Sequence, residues 1–188
     1  MRNRHRKKSF IPLPALWLMT DERVEAAALL AAAARLPKGH GGIVFRHYRT
    51  EPAARRALFE ALRAIARRRR LILLLAGSAR EGAAWRADGV HGRDMRGSTR
   101  PMLRSRAVHD TQEAVAARRV RADLCFVSPL FPTRSHPGAG ALGRVRFAAL
   151  ARQVKAPVMA LGGVRQAHRM MLDRLGADGW AAIDGLTL

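Results

Sequence analysis

Val127-Ser128-Pro129-Leu130-Phe131-Pro132-Thr133, Ala160-Leu161-Gly162-Gly163-Val164 and Gly176-Ala177-Asp178-Gly179-Trp180-Ala181-Ala182-Ile183 follow one another in the second half of the chain. Each is a short apolar run ending in residues suited to holding a ligand. Upstream, apolar strands and Ala/Arg-rich helices alternate. Leu16 to Thr20 is strand-like, and Asp21 can cap a helix from Glu22 to Leu36. Pro37 to Gly42 reads as a loop, and Ile43, Val44 and Phe45 begin a second strand. Pro52 opens a helix that runs to Arg69, with apolar Leu58, Leu62 and Ile65 at helical spacing. Leu71 to Leu75 is fully apolar, the mark of a strand buried on both faces.

A weak internal repeat points the same way. Ala-Asp follows a helical stretch and opens a strand at Ala87-Asp88, Ala122-Asp123 and Ala177-Asp178. The gaps, 35 and 55 residues, suit one and two β/α units. Parallel strands need crossover helices, so the alternation predicts a parallel sheet. Eight candidate strands favour an α/β fold of the (β/α)8 TIM-barrel type. The barrel is expected to be trimmed. Gly92 to Arg104 contains Gly97 and Pro101 and makes a weak helix after strand 4, and the chain stops at Leu188 with the final helix missing. Wall left bare would be covered by residues 10 to 15 or by another subunit of a homo-oligomer. Residues 1–9 read as a disordered basic arm and 10–188 as a single barrel domain.

At 188 residues and 48% hydrophobic content the chain can bury a core. No apolar run reaches the roughly 20 residues that span a bilayer, so no membrane partner is expected. The basic stretch from Arg2 to Lys8 precedes an apolar segment that carries two prolines, which does not read as a signal peptide. One cysteine, Cys125, excludes an intrachain disulfide, and a cytoplasmic location fits. The net charge of +21 suits an anionic partner. Only four of the 35 basic residues are Lys, however, and Ala is abundant, as codon composition alone would produce. Aromatic residues make up 5%, too few for a stacking platform, so nucleic acid is not expected as the primary partner.

These motifs resemble the thiamine phosphate synthase/thiazole tautomerase family from about residue 16 to residue 184. Leu16 to Asp21 is similar to the family's opening strand, and Ala87-Asp88-Gly89-Val90-His91 to its fourth. Ala107-Val108-His109 with Glu113-Ala114 resembles the strand-5 motif, and Phe131-Pro132-Thr133 with Ser135-His136 the loop after strand 6. Ala160 to Val164 and Gly176 to Ile183 match strands 7 and 8. The resemblance implies a phosphorylated small-molecule substrate, with its phosphate held by Gly162, Gly163, Ile183 and Asp184. The Gly pair has a physical reading of its own: without Cβ atoms its amides can approach a phosphate closely. It also fits a tight turn that holds nothing. Arg46, Thr133, Ser135 and His136 match substrate-binding positions.

His109 is the catalytic candidate, because the matching histidine in the tautomerase branch moves a proton and imidazole titrates near neutrality. It fits equally a structural histidine, and Asp110 fits a helix cap. The metal pattern departs from the family. Ala76-Gly77-Ser78 stands where the family has Asn-Asp, leaving Asp94 as a weak single ligand for magnesium. His136 replaces a Lys, and Asp184 puts a carboxylate beside the phosphate, which Arg46, Arg134 and Arg165 can offset.

The resemblance therefore implies condensation of a pyrimidine methyl diphosphate with a thiazole phosphate, slowed or lost in a degenerate relative that keeps only the phosphate site. A metal-independent tautomerase-like enzyme using His109 is one alternative. A non-catalytic protein that binds a phospho-ligand or RNA is another.

Overall fold

The structure, a computed structural model, describes residues 13–92, 101–133, 138 and 140–187. Eight parallel strands join in chain order and close into a barrel. They are β1 (Leu16–Met19), β2 (Gly41–Phe45), β3 (Ile72–Ala76), β4 (Gly89–His91), β5 (Leu103–Val108), β6 (Leu124–Val127), β7 (Val158–Ala160) and β8 (Gly179–Ala182). Leu16 of β1 faces both Gly41 of β2 and Trp180 of β8, which closes the ring. The helices are α1 (Ala26–Arg35), α2 (Pro52–Arg69), α3 (Ala79–Ala84), α4 (Thr111–Arg119), α5 (Gly143–Ala151), α6 (Arg169–Arg174) and α7 (Asp184–Thr187). None of them is long and apolar enough to cross a membrane.

The side chains alternate between two cores, as the two-residue period of a strand requires. Inward-facing Trp17, Met19, Leu74, Phe126 and Met159 fill the barrel. Gly42 makes room for them, since a Cβ there would lie 2.3 Å from the Trp17 ring. Outward-facing residues meet the helices in two clusters, one including Leu18, Ile43, Phe59 and Leu62, the other Val127, Phe147, Val158 and Leu172.

Several local expectations need correction. Asp21 does not cap α1. Its carboxylate is taken by the backbone and side chain of Arg23, so the helix begins at Ala26, after Glu25. β2 starts at Gly41, inside the expected loop. A helix does follow β8: Asp184–Thr187 make one turn, and Leu186 packs against the outer clusters. Leu13 does not cover the outer wall. It packs against the interior cluster, while Pro14 accepts a hydrogen bond from Trp17 Nε1 at 2.7 Å. The described residues between β4 and β5 contain no helix. The basic arm, 1–9, lies outside the described residues, as does the domain boundary set at residue 10.

The Ala-Asp repeat is a helix stop joined to a strand clamp. Before it stand Arg86, Arg121 and Gly176, all with left-handed φ of 56°, 51° and 82°. The Ala amides then reach back five residues, Ala87 to Gly82, Ala122 to Ala117 and Ala177 to Leu172, satisfying helix-end carbonyls. The carboxylates of Asp88, Asp123 and Asp178 accept from the amides of Leu73, Arg104 and Val158 at 2.8, 3.0 and 2.7 Å. Each Asp thus ties the start of its own strand to a neighbour.

Replacing Asp178 by Ala leaves the Val158 amide without that acceptor and should cost about 1–2 kcal/mol in urea unfolding. Asp178→Asn, which keeps an acceptor, should recover most of it. Equal stability of the Ala variant and the wild type would show that the clamp is not a stabilising contact.

Candidate functional site

A cavity of about 1200 Å³ opens where the strands end, at the C-terminal face of the barrel. Gly162, Gly163, Ile183, Asp184, Arg46, Thr133 and His109 all line it. Ser135, His136, Asp94 and Arg134 lie outside the described residues.

The Gly pair follows β7, and both residues are left-handed, with φ of 92° and 63°. A Cβ on Gly162 would come within 2.7 Å of Pro129, and one on Gly163 within 2.7 Å of the Pro132 carbonyl. Both glycines are therefore required by backbone angle and by crowding. The loop after β6 is laced to this turn, since the amides of Leu130 and Phe131 donate to the carbonyls of Leu161 and Gly162 at 2.8 and 3.0 Å. The amides of Gly162, Gly163 and Ile183 donate to no backbone carbonyl among the described residues. Free N–H groups beside one another at a strand end form an anion cradle.

Arg46 stands across the mouth, held at the end of β2 by β1. Its backbone amide donates to Thr20 Oγ1 at 2.9 Å, its Nε to the Thr20 carbonyl at 2.9 Å, and its Nη2 to Asp21 at 3.3 Å. Burial pulls the guanidinium pKa down, and Asp21 opposes that pull. Arg144, at the start of α5, and Arg165, after β7, line the mouth as well. Asp184 has a cation nearby: its charge acts on Arg23, which is bound first to Asp21.

His109 sits at the end of β5 with its side chain half exposed. Its Nδ1 is 2.7 Å from Glu113 Oε2, which also accepts from the His109 amide at 2.9 Å. The ring is thus oriented by α4 and does not donate to a neighbouring strand. Asp110 is the α4 cap, accepting from the Glu113 amide at 2.8 Å.

Sequence reading assigned no role to His91, Arg144 or His168. His91 was signalled by its place two residues after the strand start Gly89, which turns it inward. Its Nδ1 lies 3.0 Å from Ser105 Oγ, its ring packs edge-on against Phe126, and it lines the cavity. Burial, helped by the charge of Arg46, holds its pKa down at about 4, so it is neutral at pH 7. His168 packs on Phe131 and accepts from the Arg165 amide at 3.2 Å. Arg144 carried no local signal, because α5 comes between two loops that meet only in the folded barrel.

The end of β3 does not fit a metal ion. The Ala76 carbonyl accepts from Arg55 Nη2 at 2.9 Å, and the same guanidinium pairs with Glu81 and lies over the Trp85 ring. Ser78 is spent capping α3. A fixed cation thus stands where a divalent ion would need oxygen ligands. The described residues hold no group of three or more His, Cys, Asp or Glu suited to a metal.

Residues 16–186 match the family model described as thiamine monophosphate synthase. The chain is 32% identical over 157 residues to thiamine-phosphate synthase of Chloroflexus aurantiacus, covering 78% of this chain and 73% of that protein. It is 28% identical over 187 residues to the synthase of Syntrophomonas wolfei, covering 92% and 88%. In fold it is similar to thiamine phosphate pyrophosphorylase from Pyrococcus furiosus, with a TM-score of 0.74, 23% identity and coverage of 92% and 86%.

The His91 ring makes stability depend on acid. Its pKa falls from 6.5 in the unfolded chain to about 4 in the fold. Above pH 6.5 both states leave it neutral, and as pH falls toward 4 only the unfolded chain takes the proton. Stability should therefore drop across that window by about 3 kcal/mol in total. His91→Asn should flatten this acid limb in urea midpoints measured from pH 7 to pH 4. An unchanged limb would assign the acid sensitivity to other groups.

Proposed function

Because the chain belongs to the thiamine monophosphate synthase family, we propose that it joins a pyrimidine methyl diphosphate to a thiazole phosphate. The methylene–oxygen bond to the diphosphate breaks, a bond from the methylene to the thiazole ring nitrogen forms, and pyrophosphate leaves. The observation that carries this reading is that Gly162, Gly163 and Ile183, whose amides donate to no backbone carbonyl among the described residues, line one mouth with Arg165. They suit the thiazole phosphate, and Thr133 adds a hydroxyl beside them. Arg46 and Arg144 provide positive charge for the departing pyrophosphate, since guanidinium groups grip phosphate oxygens in pairs. That charge falls to arginine rather than to a protein-bound metal, because the β3 end carries Arg55. A cytoplasmic reaction fits the single buried thiol of Cys125.

Supplying both substrates to the purified protein and measuring thiamine phosphate should give real but slow turnover, below about 1 per second. The loss of one transition-state contact typically costs about 100- to 1,000-fold. Gly163→Val, which adds bulk to a left-handed backbone in the cradle, should raise KM for the thiazole phosphate by at least about tenfold. Arg46→Ala should act mainly on kcat. No thiamine phosphate at all would rule out the synthase reading.

The His109–Glu113 pair favours a second reading, a proton shift on a bound thiazole phosphate. A carboxylate that orients an imidazole at a substrate mouth is suited to general acid–base work. Under this reading His109→Gln abolishes the proton shift and leaves thiazole phosphate affinity unchanged. Under the synthase reading the same variant retains thiamine phosphate formation.

A further inference from the structure

A second cavity, of about 280 Å³, lies at the other end of the barrel, beneath the starts of β3 and β4. Arg63, Arg67, Arg70 and Arg86 line it, with Leu71, Leu73 and Asp88. It shares no residue with the mouth. We infer that this recess is an anion site for a compact diphosphate group.

The first support is charge. Arg63 pairs with Glu60, and Asp88 is engaged with the Leu73 amide. Arg67, Arg70 and Arg86 have no ion-pair partner among the described residues. Four guanidinium groups around one recess, with one carboxylate in its lining, concentrate positive charge that attracts an anion. The carbonyl ends of α2 and α3 offset only part of this.

The second support is backbone conformation. Arg70 and Arg86 are left-handed, with φ of 54° and 56°. A residue with a Cβ is disfavoured there, and glycine is the usual choice. At the matching junction before Ala177-Asp178 this chain uses Gly176, at φ 82°. It keeps a side chain at the strained position at both junctions that border the recess. Arg121 is left-handed as well, at φ 51°, and does not line the recess, so the backbone conformation alone does not mark the site, and Arg121 serves as the control for the two arginines that do line it.

The recess also selects the ligand. Its volume equals about nine waters at roughly 30 Å³ each, room for a diphosphate. No aromatic side chain lines it among the described residues, so none of them stacks on a base. Guanidinium groups bind phosphate oxygens in a bidentate manner. The diphosphate can be free or carried by a nucleotide, and inorganic pyrophosphate and ADP separate these sources.

Pyrophosphate also suits the mouth, so the test must be local. Hydrogen exchange of the full chain is followed with and without millimolar pyrophosphate, alongside a binding isotherm. Exchange should slow in peptides spanning residues 66–73 and 83–89. Arg70→Gly/Arg86→Gly should abolish that protection and weaken this binding by about tenfold or more, the loss of two charge-assisted contacts. Glycine suits a left-handed backbone, so the double variant should fold with an unchanged or higher Tm. Arg121→Gly should bind as the wild type does. Equal affinity for ADP marks a site for the diphosphate group itself, and binding of ADP alone would point to an unforeseen base pocket and overturn the inference. It also fails if protection is confined to the mouth loops, if the double variant binds unchanged, or if Arg121→Gly loses binding equally. Protection of these peptides by a short RNA but not by pyrophosphate would overturn it as well.

Discussion

A parallel barrel stands only if its centre is filled, and here Trp17 is fully buried in that filling. Its ring occupies the hollow left by Gly42 and meets Phe126 edge-on at 5.6 Å between centroids. Met19 and Met159 pack in the same interior. The filling ends at a layer where Met19, His91 and Ala181 are both interior residues and cavity lining. The mouth exists because the packed interior stops there, and every site residue takes its height from that floor.

Rigidity at the two ends comes from different devices. At the start of the strands, Asp88, Asp123 and Asp178 each bind an amide of the neighbouring strand. At the mouth, the loop after β6 donates into the Gly162 turn, and the amides of Gly162 and Gly163 donate to no backbone carbonyl among the described residues. A turn that is fixed in advance would lose little entropy on binding an anion.

Guanidinium charge gathers at the C-terminal ends of the strands. Arg55 closes the end of β3 by binding the His47 and Ala76 carbonyls and pairing with Glu81. Arg46, Arg144 and Arg165 put further guanidinium groups around the mouth. Arginine keeps its charge and offers paired donors, so it can stabilise phosphate without being displaced by substrate.

Local patterns in the sequence determined the architecture. Apolar runs of strand length, helices between them and the Ala-Asp repeat follow from rules that act over a few residues, and the barrel obeys them. The Gly162-Gly163 turn was legible for the same reason, because only glycine suits a crowded left-handed turn. Partnership was not legible. Asp21 reads as a cap until Arg23 and Arg46 claim its carboxylate, and Arg55 gives no sign that it will reach the end of β3. His91 and Arg144 face one cavity only because β1 closes on β8 and brings all the strand ends together. Which charges meet is decided by that closure, since Coulomb and hydrogen-bond partners are chosen by distance in space and not by spacing along the chain.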